Sequence, residues 1–158
     1  MKKNNTYLFI IGALIIAIGA SVASAFITMA KMPPKGSIPI YYDGKQSYFD
    51  PAKASTIDVA GVTMTTKGET KDVSAKGYLL KDVFSLSGIK ASDYKSIGAT
   101  ASDSAFATLY PDEVDDPGKV YLIEDTSDKG DKILSLVVFG DKDSKRQLKD
   151  IIRIDLAK

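Results

Sequence analysis

The chemistry open to this chain rests on hydroxyls, amines and carboxylates, because its 158 residues contain neither cysteine nor histidine. That double absence excludes disulfides, thiolate zinc sites and cysteine nucleophiles. It also excludes a Ser-His-Asp triad and any histidine-ligated metal or haem. Ser92 and Lys95, like Ser87 and Lys90, stand at Ser-x-x-Lys spacing, the pattern of a lysine-activated serine. The companion Ser-Asp-Asn and Lys-Thr-Gly elements are missing, so Ser92 reads as a residue that caps a turn. Two acidic clusters offer carboxylate oxygens to a hard cation such as calcium: Asp112, Glu113, Asp115 and Asp116, then Glu124, Asp125, Asp128 and Asp131. Neither has EF-hand spacing, and the interleaved Lys119, Lys129 and Lys132 give both the look of a solvated surface. No glycine-rich phosphate-binding sequence is present. From residue 31 onward there are 19 basic and 20 acidic residues, a net charge of −1 that leaves no electrostatic footprint for nucleic acid.

The elements that position these groups follow from periodicity. Ile38–Tyr42 is a short strand candidate ahead of an Asp43-Gly44 turn. Ile57, Val59, Val62 and Met64 alternate with a change of parity at Ala60-Gly61 that predicts a bulge. Residues 69–76 return as a polar, edge-like strand. Leu79, Leu80, Val83 and Phe84 form one stripe of a helix, with Gly88 placed to end it in the left-handed conformation. Further strands are expected at 96–101, 105–110, 120–125 and 132–139, then a helical turn over 144–148 and a last strand at 151–156. The run from Ile133 to Phe139 is the most hydrophobic and is expected at the centre of its sheet. The sum is an α+β, β-rich domain with a mixed or antiparallel sheet. Its expected organisation is a segment over 1–30, a linker with a first short strand over 31–55, and the β-rich domain over 56–158. The seven tyrosines between Tyr41 and Tyr121 read as half-buried sheet residues.

Three stretches, taken in order, resemble the sulfite-oxidase-like molybdopterin-binding domain. Gly77 through Ile89, with Leu80, Asp82, Val83 and Phe84 before Gly88, is similar to that family's glycine followed by a Leu-x-Asp-Leu-Leu helix ending at Gly-Val. Ala101, Ser102 and Asp103, with Leu109, Glu113 and Val114 following, are similar to its Ala-Ser-Asp-Gly-Tyr strand pair. Leu134 through Gly140, then Arg146, Leu148, Lys149, Ile152 and Ile154, looks like its closing segment. The resemblance spans about half of the chain, from Gly77 to Leu156, and implies the fold. It also implies a place for a molybdopterin cofactor, with Arg146 and Lys149 aligned to basic residues that contact the pterin phosphate. The alternative is that both are solvated residues on a helical turn. The family's molybdenum-ligating cysteine and its pterin-holding histidines have no counterpart here. Phe139 replaces the family proline, Gln147 replaces an aromatic residue, and there is no length for the dimerisation domain of the full enzymes. The resemblance therefore implies the scaffold and argues against the reaction.

Between Lys3 and Lys31 no residue is charged, and residues 7–30 as a helix would span a hydrocarbon core about 30 Å thick. Lys2 and Lys3 ahead of this run predict an amino terminus inside and the rest of the chain outside. The same segment reads as a signal peptide, with Ala23 and Ala25 forming the small-x-small cleavage pattern. Either way the domain is exported: membrane-bound through residues 7–30, or secreted if cut after Ala25. The expected function is a non-catalytic domain for binding or assembly, with a protein partner at the cell envelope and no cofactor. The alternatives are a redox enzyme or accessory subunit holding a pterin without cysteine ligation, and a calcium-dependent surface module.

Overall fold

Strand β1 (Ile38–Tyr42) buries Ile38 and Ile40 on one side, as its alternation requires. Asp43 and Gly44 both take positive φ, 51° and 69°, the conformation of a two-residue hairpin turn. The chain returns as β2 (Lys45–Phe49), paired antiparallel from Ile38↔Phe49 to Tyr42↔Lys45. This hairpin is no linker. In the computed structural model, which describes residues 33–158, β1 also pairs in parallel with β9 (Ile151–Ala157), and Lys35–Lys158 forms one compact unit. The domain therefore begins well before residue 56. The polar run Lys45-Gln46-Ser47 at an outer strand hides the strand signal that a half-buried segment would show.

The first sheet is completed by β5 (Ser96–Ala101) and β6 (Phe106–Leu109), in the order β2-β1-β9-β5-β6. A register shift at Thr100/Ala101 disturbs the pairing of β5 with the start of β9. The second sheet is an antiparallel meander of β3 (Ile57–Met64), β4 (Thr70–Leu79), β7 (Val120–Thr126) and β8 (Lys132–Val138). The domain is thus β-rich, with one mixed and one antiparallel sheet.

Two expectations about the second sheet are corrected, the bulge in β3 and the central place of β8, while the edge-like character of 69–76 holds. The β3–β4 ladder runs unbroken through Ala60↔Ser74 and Gly61↔Val73, without a bulge. Val59, Gly61 and Thr63 share the inner face and Val62 is an exposed apolar residue on the outer one, while the Phe139 ring lies over Gly61, where an added Cβ would come within 2.7 Å of it. β4 is interior in the sheet order, yet only Gly77–Leu79 pair with β7, so its polar half over 70–76 bonds to β3 alone. β8 lies at the end of the sheet, although Leu134 through Val138 are all buried. The segment that follows covers its outer side: Leu136 and Leu148 exchange backbone hydrogen bonds of 2.8 and 3.1 Å. The Gln147 carboxamide acts as a further strand residue, with Nε2 donating to the Val138 carbonyl at 2.7 Å and Oε1 accepting from the Val138 amide at 3.1 Å. Residues 144–148 accordingly form a turn and a bridge, where a helical turn was expected.

Helix α1 (Leu80–Leu86) buries Leu80, Val83 and Phe84, the stripe its spacing predicts. It ends in a Schellman motif, with Gly88 at φ 73°, Ile89 N–H donating to the Phe84 carbonyl (3.0 Å) and Gly88 N–H to that of Ser85 (2.9 Å). A second short helix, α2 (Pro111–Asp115), occupies the first acidic cluster. Proline opens it, and Glu113 in its first turn accepts the Tyr110 amide at 2.9 Å. One core unites the elements: Ile40, Ile97 and Ile154 from the first sheet, Leu122 and Leu136 from the second, and Phe84 from α1. Among the described residues no helix is long and apolar enough to cross a membrane. The segment over 7–30, with Ala23 and Ala25, lies outside them.

Candidate functional site

Arg146 is carried on the turn after β8, and each of its three guanidinium nitrogens donates to a carboxylate. Nε donates to Asp141 Oδ2 at 2.9 Å and Nη2 to Asp141 Oδ1, a bidentate pair. Nη1 donates to both oxygens of Glu113, at 2.6 and 2.8 Å. The sequence builds this clamp from two ends: left-handed Gly140 turns the chain so that Asp141 follows β8, and α2 turns Glu113 inward to 8% exposure. Lys119 Nζ stands 3.9 Å from the same carboxylate. Two cations and two carboxylates thus cancel, and the hydrogen bonds to Asp141 raise the Arg146 guanidinium above its ordinary value against the opposing effect of burial.

Lys149 is elsewhere. Its Nζ lies 2.9 Å from Asp128 on an exposed surface, a hydrogen bond that raises the lysine and lowers the aspartate from their ordinary values. The two basic residues that the sequence suggests for a pterin phosphate therefore serve separate ion pairs, and neither lines the cavities described below. Two carboxylates already neutralise Arg146, and their charge would oppose a phosphate drawn to it. This arrangement does not fit a pterin-phosphate site.

The acidic clusters are likewise drawn apart. Glu113 points to Arg146, Glu124 accepts from the Tyr78 hydroxyl, Asp125 accepts from Ser135 at 3.0 Å, and Asp128 pairs with Lys149. No three acidic side chains converge as metal ligands among the described residues. Ser92 donates to Asp93 at 3.2 Å within a 3₁₀ turn, and Asp93 rather than Ser92 closes that turn by accepting the Lys90 amide.

What the structure brings together is a different set. A cleft of about 730 Å³ opens between the sheets, bounded by the start of β1, the 3₁₀ turn Pro51–Lys53, the ends of β4 and β7, and the starts of β8 and β9. Tyr78, 4% exposed, forms its inner wall, with its hydroxyl 3.2 Å from Glu124 Oε1 and 3.3 Å from the Pro51 carbonyl. Burial first, and the Glu124 charge second, push the Tyr78 phenol up to about 12. Asp150 enters at φ 59°, left-handed though not glycine, where the β5 register shift meets β9. Ser37, Lys35, Lys132, Asp125 and Thr126 complete the polar lining. A smaller groove of about 480 Å³ on the other side of Tyr78 runs between Ile57 and Leu86 and is mainly apolar. No motif announces the cleft, because its lining comes from separate segments of the chain. The local signals are a tyrosine beside a glycine at the end of a polar strand and an aspartate at a strand start.

No family model matches the chain, and no curated protein matches it.

Proposed function

We propose that this chain is a non-catalytic binding module on a sulfite-oxidase-like scaffold, held outside the membrane by residues 7–30 or released there after Ala25. The cleft beside Tyr78 is where it binds. One observation carries the reading: Arg146, the residue that would greet a pterin phosphate, is spent on Glu113 and Asp141. The absence of cysteine and histidine points the same way, since no residue remains to ligate molybdenum through thiolate or imidazole. A protein partner at the envelope would find the apolar groove between Ile57 and Leu86, two side chains 45% and 68% exposed.

The experiment is elemental analysis and pterin fluorescence on the full chain purified from its own cells, with mass spectrometry of its amino terminus. We expect neither molybdenum nor pterin. Stoichiometric amounts of either would overturn the reading in favour of an oxidoreductase or accessory redox subunit. An amino terminus at Phe26 would replace the anchor with a cleaved leader.

A further inference from the structure

We propose that the cleft between the sheets takes a small zwitterion: an ammonium and a phosphate or carboxylate joined by a few bonds. This rests on the reading of the chain as a binding module and names what the module binds. The volume, about 730 Å³, lies in the range of small-molecule sites. Its lining carries both signs of charge without letting them meet. Lys35 and Lys132 on one hand, Glu124, Asp125 and Asp150 on the other, have no ion-pair partner among the described residues, although all five border one cavity. A ligand of one charge would sit beside like charge. A zwitterion answers both poles.

Two further features show a site held ready. Glu124 Oε1 accepts from Tyr78, whose ring is fixed against Phe49 at 5.0 Å between centroids, so the carboxylate is anchored with its other oxygen open. Ser37 Oγ, also of the lining, is buried with no hydrogen-bond partner, the one such side-chain atom found among the described residues. A buried hydroxyl without a partner is a rarity, and rotation of the Ser37 side chain towards the cleft would give it a ligand oxygen or nitrogen. Apolar walls from Leu134 and Ile151 lower the local dielectric and strengthen each polar contact.

The test is calorimetric titration of the purified full chain with phosphoethanolamine and β-alanine, and with ethanolamine and inorganic phosphate as single-charge controls. The expected result is one site per chain for at least one zwitterion, bound at least tenfold more tightly than ethanolamine or phosphate. Lys132→Gln and Asp150→Asn should each weaken it about tenfold, and Lys142→Gln on the turn after β8 should leave it unchanged. Asparagine tolerates the left-handed backbone at 150, and the exposed Lys132 supplies a second variant should that one fail to fold. A single-charge control binding as tightly as the zwitterions overturns the proposal, as does absence of binding for both zwitterions. Molybdenum and pterin content, measured on the same sample, decide the non-catalytic reading separately. To find the source, the chain is titrated with phosphoethanolamine in phosphatidylglycerol vesicles with and without phosphatidylethanolamine. Loss of binding with that lipid present means a headgroup fills the cleft, and unchanged binding means a free solute does.

Discussion

The Arg146 clamp and the Tyr78 cleft use the same side-chain types to opposite ends. At the clamp every charge finds its opposite inside the protein, with Glu113 buried at 8% exposure between Arg146 and Lys119. At the cleft Lys132 and Asp150 border one space and remain unpaired. A paired charge holds the fold together, while an unpaired charge at the wall of a cavity is left to meet something from outside. The identity of an arginine or lysine in a motif therefore says less about binding than what has already claimed it.

The comparison breaks most visibly at the clamp. Arg146→Ala should destabilise the chain by about 3 kcal/mol, because it leaves Asp141 without a cation and Glu113 with only the more distant Lys119. Urea unfolding reads this, and a loss under about 1 kcal/mol would make the clamp an ornament of the surface. The same variant should bind ligands in the cleft as the unmodified chain does.

Next in size is an alkaline transition at the cleft wall. Tyr78 titrates near 12 in the folded chain, from an ordinary value of 10.0. The folded value is the higher one, so folding favours the neutral phenol. That contribution is whole below pH 10 and is lost as the pH rises through 12, about 2 kcal/mol in all. Tyrosinate absorbance and unfolding midpoints across that interval should show the loss. Tyr94, raised to about 12 by burial and by Asp115 and Asp93, adds to it. Tyr78→Phe should remove the part due to Tyr78.

Smaller still, Gln147→Ala should cost about 1 kcal/mol by freeing the amide and carbonyl of Val138, as thermal denaturation would reveal. At the bottom of the scale, Lys149→Ala should leave the midpoint where it was, since Lys149 and Asp128 form their pair in open water. A measurable fall would mean that Lys149 does more than its surroundings suggest.

What was legible in the sequence was what short-range periodicity encodes. β5 through β9 and α1 lie where alternation and the 3.6-residue stripe place them, and Gly88 ends the helix as its position demands. β2 was missed because its outward face is polar and its inward anchor is a single residue, Phe49. The parity change at Gly61 marks no bulge, because Val62 is an apolar residue on the exposed face and Gly61 makes room for Phe139, a ring distant in sequence. β8 was expected at a sheet centre because hydrophobic density reports burial on both faces, and it cannot say whether a strand or a loop provides the cover. For the sites the same limit holds more strictly. Arg146 is visible as a cation, but Glu113 lies 33 residues upstream, and only the fold makes them neighbours.

The carboxamide of Gln147 has one further consequence. An unpaired strand border is a template on which another chain can add, and β8 is the most hydrophobic strand of this domain. By occupying the Val138 end of that border, one side chain keeps crowded copies of the chain from zipping together through it. Its loss would be felt as filaments in a concentrated sample, beyond the fall in melting.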